Sequence, residues 1–193
     1  MVLFAHGSGS GRHSPRNQQV AGGLQAAGYG TLLIDLLTEA EERVDAVTRA
    51  LRFDVRLLSV RLTDVADGLA GRVGSSGVPL AVFGASTGAA AALITAAERP
   101  DLVDAVISRG GRPDLAGSDL ARVRAPTLLV VGGADQQVLE LNRLAAARLV
   151  APHEIVVIPG ATHLFPEEGA LEQVVDHSVH WLDRWLAVPG GAG

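Results

Sequence analysis

Three side chains stand where an acyl-transfer site could be assembled: Ser86 in FGASTGAAAAL, Asp135 in VVGGADQQVLELN and His163 in IPGATHLFPEEGAL. A serine hydroxyl is a poor nucleophile at neutral pH, so it needs an imidazole to take its proton and a third group to hold that imidazole in one tautomer. Ser86 lies between Gly84 and Gly88 where an apolar run gives way to an Ala-rich one. This is the G-x-S-x-G spacing of a sharp strand-to-helix turn, which packs too tightly for large neighbours two residues away. In a chain with 23 glycines the five-residue pattern alone is weak; its flanking runs and two partners give it weight. The oxyanion of a tetrahedral intermediate also needs donors, usually two backbone N–H groups. Thr87, directly after the serine, is one candidate, and Ser8 in the glycine-rich FAHGSGSGRHSPRN is the other.

Each residue also has a plainer reading. Ser86 could be only a helix N-cap, and Asp135 could cap the helix that opens near Gln137, a role compatible with orienting a histidine. Asp114, which follows another strand exit, competes with Asp135 as the acid. Of six histidines, His163 sits in the loop after the last strand; His177 and His180 fall within the C-terminal helix, and His153 opens a strand. His6, Arg12 and Arg109 are candidate substrate contacts. Guanidinium groups grip carboxylates, and Arg12, Arg16, Arg109 and Arg112 cluster near strand exits. The structural alternative, favoured here, pairs these arginines with Asp35, Asp114 or Asp119. A phosphate-cradling loop is disfavoured, since the Gly-Ser stretch lacks the G-x-x-x-x-G-K-[ST] pattern and the chain has no lysine.

The elements that must position these residues alternate along the chain. Strands are expected at 2–5, 31–35, 78–83, 102–108, 126–132 and 153–159. Helices are expected at about 15–27, 55–73, 87–98, 137–149 and 168–187, with a weaker one at 39–51. Short Val/Leu/Ile runs between amphipathic segments indicate repeated β-α units around a parallel sheet buried on both faces. In such sheets functional groups gather at the strand exits along one edge, so the three residues would converge.

At 193 residues the chain suits a single domain, expected over 1–188, with VPGGAG giving a flexible tail at 189–193. Hydrophobic residues make up 48% and charged ones 19%, with a net charge of −5 and no basic stripe, which argues against a nucleic-acid partner. With no cysteine there is no disulfide, thiol nucleophile or thiolate metal site. No window reaches the roughly 18 apolar residues of a membrane span, and MVLFAHGSGS lacks the regions of a signal peptide. A cytoplasmic monomer or homodimer acting on a small molecule, without membrane, metal or cofactor, is the expectation.

Five segments, LFAHGSGSGRHSPRN, FGASTGAAAAL, SRGGRPDLAG, APTLLVVGGADQQVLELNR and VIPGATHLFPEEGAL, resemble the dienelactone hydrolase-like branch of the α/β-hydrolase superfamily. The order Ser86, Asp135, His163 is the order of that superfamily. The resemblance implies an α/β-hydrolase fold of about six mainly parallel strands, ester or lactone hydrolysis and no cofactor, with Ser86 as nucleophile, Asp135 as acid and His163 as base. Named dienelactone hydrolases carry cysteine where Ser86 stands, so their lactone is not carried over. Relatives place two or more strands before the first one read here. Fewer than 20 residues separate the fourth strand's exit from the fifth strand, too few for a substantial helical lid. Acyl transfer, ring opening or closing, and a non-catalytic binding scaffold are the alternatives on the same fold.

Overall fold

The structure is a computed structural model that describes residues 1–73 and 78–186. The predicted tail at 189–193 lies outside the described residues. Six strands, β1 (Val2–Ala5), β2 (Thr31–Leu33), β3 (Ala81–Ala85), β4 (Ala105–Arg109), β5 (Thr127–Gly132) and β6 (His153–Ile158), form one sheet in the order β2-β1-β3-β4-β5-β6. Every pairing is parallel. Among the described residues the α-helices are α1 (Pro15–Ala26), α2 (Glu39–Thr48), α3 (Val55–Val73), α4 (Thr87–Glu98), α5 (Gln136–Ala146) and α6 (Ala170–Leu186). Among the described residues no helix is long and apolar enough to cross a membrane.

Strand alternation divides the core in two. Phe4, Phe83, Ile107 and Val130 face Val20 and Leu24 of α1 and Val174 and Leu182 of α6. Leu3, Val82, Val106 and Leu129 face Leu58 and Leu62 of α3, the alanines of α4, and Ala145 of α5. Helix α4 is buried from Thr87 to Ala97. Its small side chains let it lie close against the sheet, which fixes where its first residue stands. Phe4 and Phe83 stack across the β1–β3 pair with ring centroids 4.7 Å apart, stiffening the strands that carry the Gly7–Gly11 loop and Ser86.

The chain leaves β1 for β2 on one side, then crosses back so that β3 pairs with the other edge of β1. Between β1 and β3 lies the topological switch point, outside whose carboxyl ends open α/β sheets form their crevice. The His6–Gly11 loop and Ser86 leave the sheet at this point.

The observed elements depart from the expected ones in a few physical respects. Strand β3 runs on through Gly84 to Ala85, because Gly84 stays in the ladder opposite Ala5 and Ser108 instead of breaking it. Leu102 and Val103 lie in a turn before β4, their N–H groups accepted by the Arg99 carbonyl. The 39–51 helix ends at Thr48 with Arg49 in the left-handed region (φ 56°), followed by a 3-10 turn at Leu51–Phe53. The segment after β4 holds 3-10 turns over Pro113–Arg122, kinked at Gly117, with Pro113, Ala116 and Leu120 buried. Those turns pack on the body and do not project as a cap.

Candidate active site

Ser86 follows the last residue of β3 and precedes the first residue of α4. Its backbone is held at φ 51°, ψ −121°, a region that costs a non-glycine residue roughly 1–3 kcal/mol. Packing enforces that turn from both sides. A Cβ on Gly84 would lie 2.6 Å from the Ala89 nitrogen, and one on Gly88 would lie 2.5 Å from the His6 carbonyl oxygen. Ser86 N–H donates to the Arg109 carbonyl (3.3 Å), and the Ser86 carbonyl accepts from Ala89 N–H (3.1 Å) and Arg112 N–H (3.0 Å). The β4 exit therefore clamps the serine from the side.

The side chain is half-buried and its Oγ stands 3.4 Å from His163 Nε2. His163 arrives on the loop between β6 and α6, and its Nδ1 lies 2.8 Å from Asp135 Oδ2. That contact gives Nδ1 the proton and leaves Nε2 free to accept one. Asp135, in the turn after β5, uses its other oxygen to accept Val138 N–H (3.3 Å), so both readings of this residue are realised in one side chain. Two close approaches seat the loop: a Cβ on Gly132 would lie 2.8 Å from the Thr162 carbonyl oxygen, and one on Gly110 would lie 2.9 Å from that of His163.

Thr87 is the first residue of α4, where the N–H has no intrahelical acceptor. Among the described residues no protein acceptor takes the Ser8 N–H, while the neighbouring Ser10 N–H closes a turn on the Gly7 carbonyl at 3.2 Å. Gly7 approaches Ser86 so closely that an added Cβ would lie 3.0 Å from the serine Cβ. The start of the glycine-rich loop thus passes against the base of the Ser86 side chain.

Of the other candidates, Asp114 is gripped by Arg112 through two hydrogen bonds of 2.8 Å and does not contact His163. Arg12 pairs with Asp35, whose carboxylate also accepts the Arg12 N–H at 2.7 Å. Asp119 takes Arg56 and Arg122, neither of which belongs to the expected arginine cluster. His6 is buried; its Nε2 accepts Leu36 N–H at 3.0 Å and its Nδ1 donates to the Gly7 carbonyl at 2.9 Å. It ties the β1 exit to the β2 exit while its edge faces the cleft. Arg109 lies beneath the surface without an acidic partner among the described residues.

A cleft of about 590 Å³ opens over the β1 and β2 exits, bounded by the Gly7–Arg12 loop, Asp35, Glu39, Glu42 and Arg52. Helix α2 as a wall of this cleft was missed by sequence reasoning. The signal was present: Thr38 and Glu41 form a reciprocal capping box at its start, with Thr38 N–H donating to Glu41 Oε2 at 2.7 Å. Asp45, buried on the inner side, accepts from Arg52 Nε at 2.5 Å and so folds the 3-10 turn back against the helix. Among the described residues no three His, Asp or Glu side chains are grouped to hold a metal ion.

The dienelactone hydrolase family profile matches residues 11–184. Two Mycobacterium tuberculosis relatives, from strains CDC 1551 and H37Rv, are each 54% identical over all 193 residues and provisionally named phosphoribosyl transferases. The chain spans 43% of their length. A dienelactone hydrolase from Anabaena variabilis superposes with a TM-score of 0.93 at 54% identity, covering 96% of this chain and 86% of that one. Est1E from Butyrivibrio proteoclasticus superposes with a TM-score of 0.74 at 16% identity over 97% of this chain and 88% of its own, a likeness of fold.

Proposed function

This chain belongs to the dienelactone hydrolase family, and from that premise we propose that it is a serine hydrolase cleaving carboxylic esters or lactones of small substrates. The observation that carries the reading is the continuous chain from Ser86 Oγ to His163 Nε2 at 3.4 Å and from His163 Nδ1 to Asp135 at 2.8 Å.

Ser86 Oγ attacks the substrate carbonyl carbon while His163 Nε2 takes the hydroxyl proton. The imidazolium is stabilised by Asp135, which stays ionised. Negative charge on the carbonyl oxygen is received by the N–H groups of Ser8 and Thr87, the latter strengthened by the N-terminal end of α4. Collapse of the tetrahedral intermediate breaks the C–O bond, and the leaving alkoxide takes the proton from His163. Water then attacks the acyl-Ser86 carbonyl, giving its proton to His163, and collapse returns Ser86 and the free acid. Supporting the serine reading over a thiol one is the elbow itself, occupied by Ser86 in a chain without cysteine.

The transferase named in the longer relatives is assigned, on this reading, to the part of those proteins that the chain does not span. The test is labelling by a fluorophosphonate probe together with turnover of short p-nitrophenyl esters. Wild type is expected to label at Ser86 and turn over; absence of both, or full activity in Ser86→Ala, overturns the assignment.

A further inference from the structure

Arg109 is only 7% exposed, and its Nη1 is buried without a hydrogen-bond partner. Strand alternation turns it to the face of Ile107, the face covered by α1 and α6. Arg16, in the first turn of α1, presents a second buried orphan donor at Nε. Among the described residues neither guanidinium pairs with a carboxylate, although Arg12, Arg52, Arg56, Arg61, Arg99, Arg112, Arg122 and Arg143 all do.

A buried charge left unpaired is expensive, and here α1 carries one while the sheet face that α1 and α6 cover carries the other. Burial, and then the charge of Arg16, lower the Arg109 pKa to about 10. Helix α1 adds to the imbalance: its first turn has no acidic residue, so the positive end of its dipole is uncompensated. Arg16 N–H, at the second helical position, has no intrahelical acceptor. Two guanidinium donors from different elements and a helix N-terminus therefore make a cationic site for which the described residues supply no anion.

We propose that Arg16, Arg109 and the N-terminus of α1 bind a phosphate monoester group of the substrate. Two full positive charges and a half-dipole match a dianion of −1.5 to −2 better than a single carboxylate. The site belongs to the same edge as the nucleophile: Arg109 pairs in register with Ala85, immediately before Ser86, and its carbonyl accepts the Ser86 N–H. Its backbone is thus one strand spacing, about 4.8 Å, from that of β3. This inference rests on the serine hydrolase reading and narrows its substrates to phosphorylated esters.

The experiment measures binding of inorganic phosphate by thermal shift, against acetate and chloride at matched ionic strength, in wild type, Arg109→Met and Arg16→Gln. Wild type should gain about 5 °C in Tm at roughly a hundredfold excess of phosphate over its Kd, and neither variant should share that gain. Arg16 is only partly buried, so its variant keeps the test decisive should Arg109→Met fail to fold. Phosphate should also compete with ester turnover. No saturable shift, an equal shift in Arg16→Gln, or a larger shift with acetate overturns the proposal. Binding is read without turnover, so the absence of ester hydrolysis would sink the hydrolase reading and leave the phosphate result standing. Hydrolysis without phosphate binding would sink only the anion site.

Discussion

Gly88 and His6 leave no room between them: a Cβ on Gly88 would stand 2.5 Å from the His6 carbonyl oxygen. The first turn of α4 is therefore pressed against the end of β1, and the same contact holds the serine beside the glycine-rich loop. Gly88→Ala must push two backbones apart. It is expected to cost at least about 2 kcal/mol, seen as a lower urea midpoint, and to reduce ester turnover more than the stability loss alone accounts for. An unchanged midpoint would show that the elbow has slack.

The strain at Ser86 separates stability from function. A residue at φ 51°, ψ −121° is tolerated far more readily as glycine. Ser86→Gly should raise stability by about 1 kcal/mol, or roughly 2–4 °C in Tm for a domain of this size, while abolishing ester turnover. Lower Tm in the glycine variant would mean that the hydroxyl contributes more to packing than the backbone costs.

Much of this arrangement was legible in the sequence because parallel strands and their exits leave strong marks. The Val/Leu/Ile runs located all six strands, and the exits of β3, β5 and β6 supplied Ser86, Asp135 and His163, which the fold brings within hydrogen-bonding reach. What was hidden depends on contacts distant in sequence. The third strand was expected to stop at Phe83, and its continuation through Gly84 and Ala85 rests on pairing with Ser108 and Arg109 of β4. Arg12 and Arg109 look alike in the chain, yet Asp35 pairs with the first and nothing described pairs with the second. The 3-10 turns over Pro113–Arg122 lack the helical periodicity that would have announced them.

Asp135 performs two tasks through two oxygens, and substitution can divide them. Asparagine keeps an acceptor for Val138 N–H, so Asp135→Asn should retain nearly the wild-type Tm. It removes the charge that, in the proposed mechanism, steadies the His163 imidazolium, and should lower kcat by about 10⁴-fold. Asp135→Ala should add a stability loss of about 1 kcal/mol from the missing cap. Asp114→Asn is the control: its carboxylate is spent on Arg112, and kcat should stay within about twofold. Loss of activity in the Asp114 variant instead of the Asp135 variants would reassign the acid.

Glu41 makes the cleft wall sensitive to acid. The Thr38 backbone N–H is the main cause holding its carboxyl below the ordinary 4.5, helped by the Thr38 hydroxyl and, after the opposing effect of burial, by Arg61. A carboxyl depressed on folding contributes stability that is fully present above its ordinary value. That contribution is lost as pH falls through the folded pKa, because the unfolded segment then binds the proton more readily. Helix α2 should thus loosen as pH drops below about 4.5, with the protection factors of its amides, taken relative to the slower intrinsic exchange in acid, falling roughly threefold, the scale of an exposed ionic contact. Glu41→Gln should show the lowered protection already at neutral pH and lose its acid-dependent fall. Since Glu39 and Glu42 on the same helix border the cleft, KM for esters should rise in the variant while kcat, which the proposed mechanism assigns to groups at the β3, β5 and β6 exits, stays near wild type. A fall in kcat with unchanged KM would separate α2 from substrate binding.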